Sequence, residues 1–139
     1  MRRQQWCREL PCIRQINIPR CYQEASTDSN APVKKEVHVF SDASESAYCA
    51  AAYMRVIPEN GECTVTLITA KTRVAPLKKV TLPRLELLGA LIGARLSHYV
   101  IKHLEMEKNQ VKLWSDSMIT LYWIKSSAKQ WKPFVENRV

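Results

Sequence analysis

From Glu36 onward apolar and polar residues alternate, with Val37 and Val39 on one face and His38, Phe40 and Asp42 on the other. The pattern stops at Ser41-Asp42-Ala43-Ser44. A period of two that ends on turn-forming residues predicts a half-buried strand with an aspartate at its C-terminal end. Ala47 to Ile57 and Cys63 to Lys71 are two further strand candidates, separated by Pro58-Glu59-Asn60-Gly61. The Asn-Gly pair is a strong hairpin signal, so the three strands are expected to form an antiparallel meander. After a basic loop from Lys71 to Val80, Pro83 opens a helical pattern that runs to about His103. Leu85, Leu88, Ile92, Leu96, Tyr99 and Val100 form its apolar side, and Glu86, Gly89, Ala90, Gly93, Ala94 and Ser97 form a neighbouring stripe. Each glycine inside a helix costs about 1 kcal/mol relative to alanine. The stripe therefore predicts close packing on a flat surface, the sheet, with Glu86 on the covered side. Val111 to Asp116 reads as a fourth strand, and Met118 to Ile124 as a helix capped by Asp116 or Ser117. The order strand, strand, strand, helix, strand, helix is α/β with a mixed sheet.

Ahead of this pattern, residues 1–35 read as a connector, with a short apolar series (Trp6, Leu10, Ile13, Ile16, Ile18) and a polar boundary at Ser26-Thr27-Asp28-Ser29-Asn30-Ala31-Pro32. With 139 residues, 46% of them hydrophobic and 24% charged, the chain suits one globular domain with a core. No run nears the roughly 18 apolar residues that a membrane span needs, and no apolar signal core follows Met1-Arg2-Arg3. An intracellular protein, cytoplasmic or nuclear and away from the membrane, is the expectation. Five cysteines at irregular spacing read as free thiols. Cys7, Cys12 and Cys21 with His38 match no zinc-knuckle spacing. The net charge of +8 is clustered: residues 1–20 hold five Arg and one Glu, and residues 71–86 hold five Lys/Arg and one Glu. Clustered basicity fits an anionic partner, nucleic acid first, and equally a solvated basic face.

Phe40-Ser41-Asp42 and Trp114-Ser115-Asp116 repeat one local pattern, aromatic, Ser, Asp, at the end of a strand. On neighbouring strands the two aspartates would converge on one rim, where ligands of open α/β sheets bind, and the covered side of the long helix would bring Glu86 there. Three facing carboxylates repel each other unless a cation lies among them, and hard oxygen donors in small number suit Mg²⁺. Two such ions, about 4 Å apart, would activate a water and stabilise a leaving 3′-oxygen. Taken singly, each acid has an ordinary explanation, a turn or cap for the aspartates and a solvated helix position for Glu86.

Several stretches carry a family resemblance that covers nearly the whole chain. They are Ile16-Asn17-Ile18-Pro19-Arg20-Cys21, Val39 to Ser44, Ala70 to Lys78, Leu82-Pro83-Arg84-Leu85-Glu86-Leu87-Leu88, Trp114 to Ser117 and Trp131 to Val139. The chain resembles the ribonuclease H-like region of Pao/BEL-type LTR retrotransposon polyproteins. The resemblance implies a ribonuclease H-like mixed sheet and hydrolysis of the RNA strand of RNA/DNA hybrids. It also implies that Asp42, Glu86 and Asp116 are three of four carboxylates binding two Mg²⁺ ions, for which Mn²⁺ can substitute. An upstream reverse transcriptase and a downstream integrase would share the polyprotein, making residues 1–35 a connector from the former and residues 36–139 an incomplete ribonuclease H-like domain. Family members continue with a strand, a helix and an Asn-Pro-Ala-Asp segment bearing the fourth acid. The chain is accordingly expected to lack these.

Lys71, Arg73, Lys78, Lys79 and Arg84 lie close enough to the expected rim to meet phosphates, or form a solvated loop. Trp114 and Trp123 are expected in the core, and Trp131 either stacks on a base or, the preferred reading, covers the core edge. His98 and His103 suit the C-terminal part of the long helix. Ser41, Ser44, Ser115 and Ser117 read as capping or orienting groups, with no nucleophile elbow around them. Three functions compete: a metal-dependent nuclease, an inactive retroelement remnant that at most binds nucleic acid, and an interaction module with an exposed edge strand.

Overall fold

The computed structural model describes Arg8 and residues 10–15, 33–59 and 62–139. Four strands form one sheet: β1 (Val33–Ala43), β2 (Ala47–Pro58), β3 (Thr64–Val74) and β4 (Val111–Ser115), in the order β3-β2-β1-β4. The first three make the antiparallel meander, and β4 joins β1 in parallel. The long helix α1 (Leu82–Leu104) makes the crossover between β3 and β4, and α2 (Met118–Lys125) and the short α3 (Pro133–Glu136) follow. The α/β mixed sheet read from the sequence is therefore present. Most of the connector, and the Asn60-Gly61 turn, lie outside the described residues; within the connector, Leu10–Gln15 form a 3₁₀ helix.

The core is one layer of helix on one layer of sheet. Val37 and Val39 of β1 and Ala50, Ala52, Met54 and Val56 of β2 are buried against Ile92, Leu96 and Val100 of α1, with Val111 at the edge. Each strand contributes every second residue, the period that a sheet covered on one face imposes. The glycines of α1 make this contact close. A methyl group at Gly93 would lie 3.6 Å from Val39 Cγ1, and one at Gly89 only 3.0 Å from the Asp42 carbonyl oxygen. Among the described residues no helix is long and apolar enough to cross a membrane.

The structure corrects four expectations. The stretch expected as a loop from Lys71 is strand up to Val74, because Ala47–Ala50 of β2 offer it a hydrogen-bonding partner. The first strand starts at Val33, three residues before the alternation begins, paired with Pro58. The buried face of α1 is rotated: Leu87 is buried, whereas Tyr99 (56% exposed) and Ala94 face solvent. Trp114 is not in the core. Its partner across the parallel ladder is Phe40, on the face turned away from α1, and it is 50% exposed. There its indole N–H donates to His38 Nδ1 at 3.0 Å, and its ring runs within 14° of the Phe40 plane. Trp123 is half-buried against Trp131, whose N–H donates to Ser126 Oγ.

Candidate carboxylate site at the rim of the sheet

The register of β1 and β4 runs from Val37 beside Val111 to Ser41 beside Ser115, so Asp42 and Asp116 leave adjacent strands at the same level. Both are exposed, and with Phe40, Ser41, Trp114 and Ser115 they line one open cleft of about 390 Å³. The serines fix the two strand ends. Ser41 Oγ donates to the Trp114 carbonyl at 3.2 Å, and Ser115 Oγ accepts from the Ser117 N–H at 3.3 Å across the turn that carries Asp116. Asp42 Oδ1 accepts from the Ala43 N–H at 2.6 Å, and Ser44 Oγ accepts from the N–H groups of Ser46 and Ala47 in the turn to β2.

Glu86 arrives from the other direction. Gly89, three residues later, brings α1 against the Asp42 and Cys49 carbonyls, so the acid one turn nearer the start of the helix reaches the same rim. It is half-buried and accepts a hydrogen bond of 2.5 Å at Oε2 from Ser117 Oγ. The same hydroxyl accepts from the Thr120 N–H at 3.2 Å and so caps α2. One buried serine, next to Asp116 in the chain, thereby ties Glu86 to the start of α2. The expectation of a capping role for Ser117 is met, and its link to Glu86, 31 residues away, had no local signal in the sequence.

Asp42 and Asp116 thus share a cleft, while Glu86 is turned to Ser117 and is not among the residues lining that cleft. Among the described residues no three His, Cys, Asp or Glu side chains stand in an arrangement that would itself hold a metal ion. Two exposed carboxylates in an open cleft nonetheless have the chemistry of a Mg²⁺ site that keeps waters and takes its remaining oxygens from phosphate. Glu86 Oε1 makes no hydrogen bond among the described residues.

The basic candidates are dispersed. Lys71 and Arg73 lie on edge strand β3, opposite Ala50 and Tyr48, level with the rim and two strands from Asp42, about 10 Å away at ordinary strand spacing. Lys78 and Lys79 are exposed in the segment before α1. Arg84 is partly buried, its guanidinium 4.9 Å from the centroid of the Phe134 ring, which Arg138 also faces at 4.0 Å. His103 Nδ1 bonds to the Tyr99 carbonyl at 2.8 Å, and His98 is exposed. Cys12, Cys49 and Cys63 are free thiols, and Cys7 and Cys21 lie outside the described residues.

No curated protein and no solved structure matches the chain. Residues 2–117 match the family model of the Pao retrotransposon-like RNaseH-like domain, a span that includes β1 to β4, α1 and all three rim carboxylates. With the mixed sheet, the crossover helix and the paired strand-end aspartates, that match shows that this chain belongs to the Pao retrotransposon RNaseH-like family.

Proposed function

We propose that the domain hydrolyses the RNA strand of an RNA/DNA hybrid with the help of Mg²⁺, as part of a retrotransposon polyprotein that also carries a reverse transcriptase and an integrase. The observation that carries this reading is the placement of Asp42 and Asp116 on one cleft at the ends of adjacent parallel strands. In this reading Asp42 and Asp116 hold the metal, and Glu86 completes the site from α1 through its uncommitted oxygen. Bound Mg²⁺ supplies an activated water and neutralises charge on the scissile phosphate. The protein's own part is positional. Ser41 and Ser115 hold the strand ends, Gly89 lets α1 approach them, and Ser117 aims Glu86. Lys71 and Arg73, level with the rim, and the exposed Lys78 and Lys79 suit phosphates of the hybrid. Arg84 is the weakest of the basic candidates because Phe134 already engages it.

A second reading, an inactive domain that binds nucleic acid without cleaving it, is favoured by one observation: no three-ligand group is assembled among the described residues. Cleavage of an RNA-labelled hybrid separates the two. The enzyme reading expects Mg²⁺-dependent cleavage that Asp42→Asn abolishes. Binding without cleavage, unchanged by Asp42→Asn, supports the second.

A further inference from the structure

Behind the rim, on the face of the sheet that carries α1, a groove of about 420 Å³ runs between edge strand β3 and the helix. Lys71 and Arg73 line it from the strand and Arg95 and Tyr99 from the helix, over a floor that includes Ile92 and Leu96. The described lining contains three cations and no carboxylate, and none of the three cations is in an ion pair among the described residues. Lys71 and Arg73 stand at the rim end. Tyr99 lies thirteen residues beyond Glu86, about 20 Å farther along the helix axis. Tyr99 is 56% exposed, and its ring is backed by His103, with ring centroids 3.9 Å apart and planes 28° from parallel.

Unpaired cations in a row, ending at an exposed aromatic ring held flat from behind, match what an unpaired nucleic-acid strand requires: charge for the phosphates and a platform for a base. A rigid duplex, which presents its bases edge-on in grooves, has no use for such a platform. The geometry points to a single-strand track. Lys71, Arg73 and Arg95 hold the backbone of a single-stranded nucleic acid as it leads to or from the rim, and Tyr99 stacks on one of its bases. The track shares the nucleic-acid partner of the proposed activity and adds Arg95 and Tyr99, which the rim does not use.

The test is fluorescence anisotropy of a labelled oligothymidylate with the whole chain, in EDTA and over a range of NaCl concentrations. Each single-strand phosphate contact contributes about 0.7 to the slope of log affinity against log salt, so Lys71→Gln/Arg73→Gln/Arg95→Gln should flatten the slope by about 2. Tyr99→Ala should weaken binding roughly tenfold and leave the slope unchanged. Lys102→Gln/Lys108→Gln/Lys125→Gln removes the same charge elsewhere and should do neither. An unchanged slope in the first triple variant, or an equal loss in the second, overturns the track. So does a duplex that binds as tightly and is weakened as much by Tyr99→Ala. Because the assay contains no metal and needs no cleavage, loss of the nuclease reading would leave this result standing.

Discussion

Gly89 and Gly93 occupy the same face of the same helix, one turn apart, yet replacement by alanine should act in opposite directions. Each substitution gains about 1 kcal/mol of helix propensity, so the difference comes from what the new methyl group meets. At Gly93 it would find Val39 Cγ1 at 3.6 Å and the β-carbons of Ala50 and Ser41 at 3.7 Å. These are ordinary van der Waals distances that add a little dispersion, so Gly93→Ala should stabilise by about 1 kcal/mol. At Gly89 the methyl would lie 3.0 Å from the Asp42 carbonyl oxygen and 3.4 Å from that of Cys49. Asp42 and Cys49 face each other across the β1–β2 ladder, so neither backbone can yield alone, and overpacking of this kind costs about 1–3 kcal/mol. The net for Gly89→Ala is a loss of about 1 kcal/mol, which places the two variants about 2 kcal/mol apart. Urea unfolding monitored by circular dichroism should separate their midpoints by about 1 M. If both variants gain stability equally, the close seating of α1 on the rim is wrong.

Three other substitutions probe single contacts. Thr120 is fully buried and its hydroxyl has no hydrogen-bond partner among the described residues, so the isosteric Thr120→Val should stabilise by about 1 kcal/mol. A lower melting temperature would show that the hydroxyl is satisfied after all. Ser117→Ala removes the cap of α2, about 1 kcal/mol, and a bond to a carboxylate, about 1–2 kcal/mol. Denaturant titration should show a loss of about 2–3 kcal/mol, largely restored in Ser117→Thr, and a loss under about 0.5 kcal/mol would count against the link. Hydrogen bonds from Lys34 and His38, with the positive charges of Lys34 and Arg55 beside it, hold Glu36 from its ordinary value near 4.5 down to about 2. A carboxyl lowered on folding stabilises above its unfolded pKa and loses that contribution as pH falls through the folded one. Stability should therefore drop between about pH 4.5 and 2 in the parent chain. The drop should be smaller in Glu36→Gln, and identical acid profiles would refute the assignment.

Much of this architecture is written locally. The alternation around Val37 and Val39, the repeated Ser-Asp endings and the Gly89, Gly93 and Ser97 positions of the small-residue stripe of α1 each report a backbone period together with one covered face, and these reappear in the structure, whereas Ala94 of the stripe is exposed. What escaped was set by partners distant in the chain. Lys71 to Val74 have a loop-like, charged composition and become strand only because β2 offers a free edge, where charged side chains are tolerated and discourage further pairing. An indole is ordinarily core material, but the parity of Trp114 with Phe40 across the parallel ladder puts it on the opposite face. Leu87 is buried and lines one cavity with Leu121 and Ile124 of α2, a neighbour that α1 alone does not announce. At the rim, the positions of Asp42 and Asp116 follow from the strand pattern, whereas the turning of Glu86 to Ser117 depends on the meeting of two helices.

The central claim, that Asp42, Asp116 and Glu86 serve one divalent-cation site, is tested most directly by paramagnetic relaxation. Mn²⁺ titrated into isotope-labelled chain should broaden the amide signals of Ala43, Leu87 and Ser117 together at the lowest metal concentration, with Asp42→Asn suppressing all three. Broadening confined to one of these segments, or centred on carboxylates away from the rim, would contradict it.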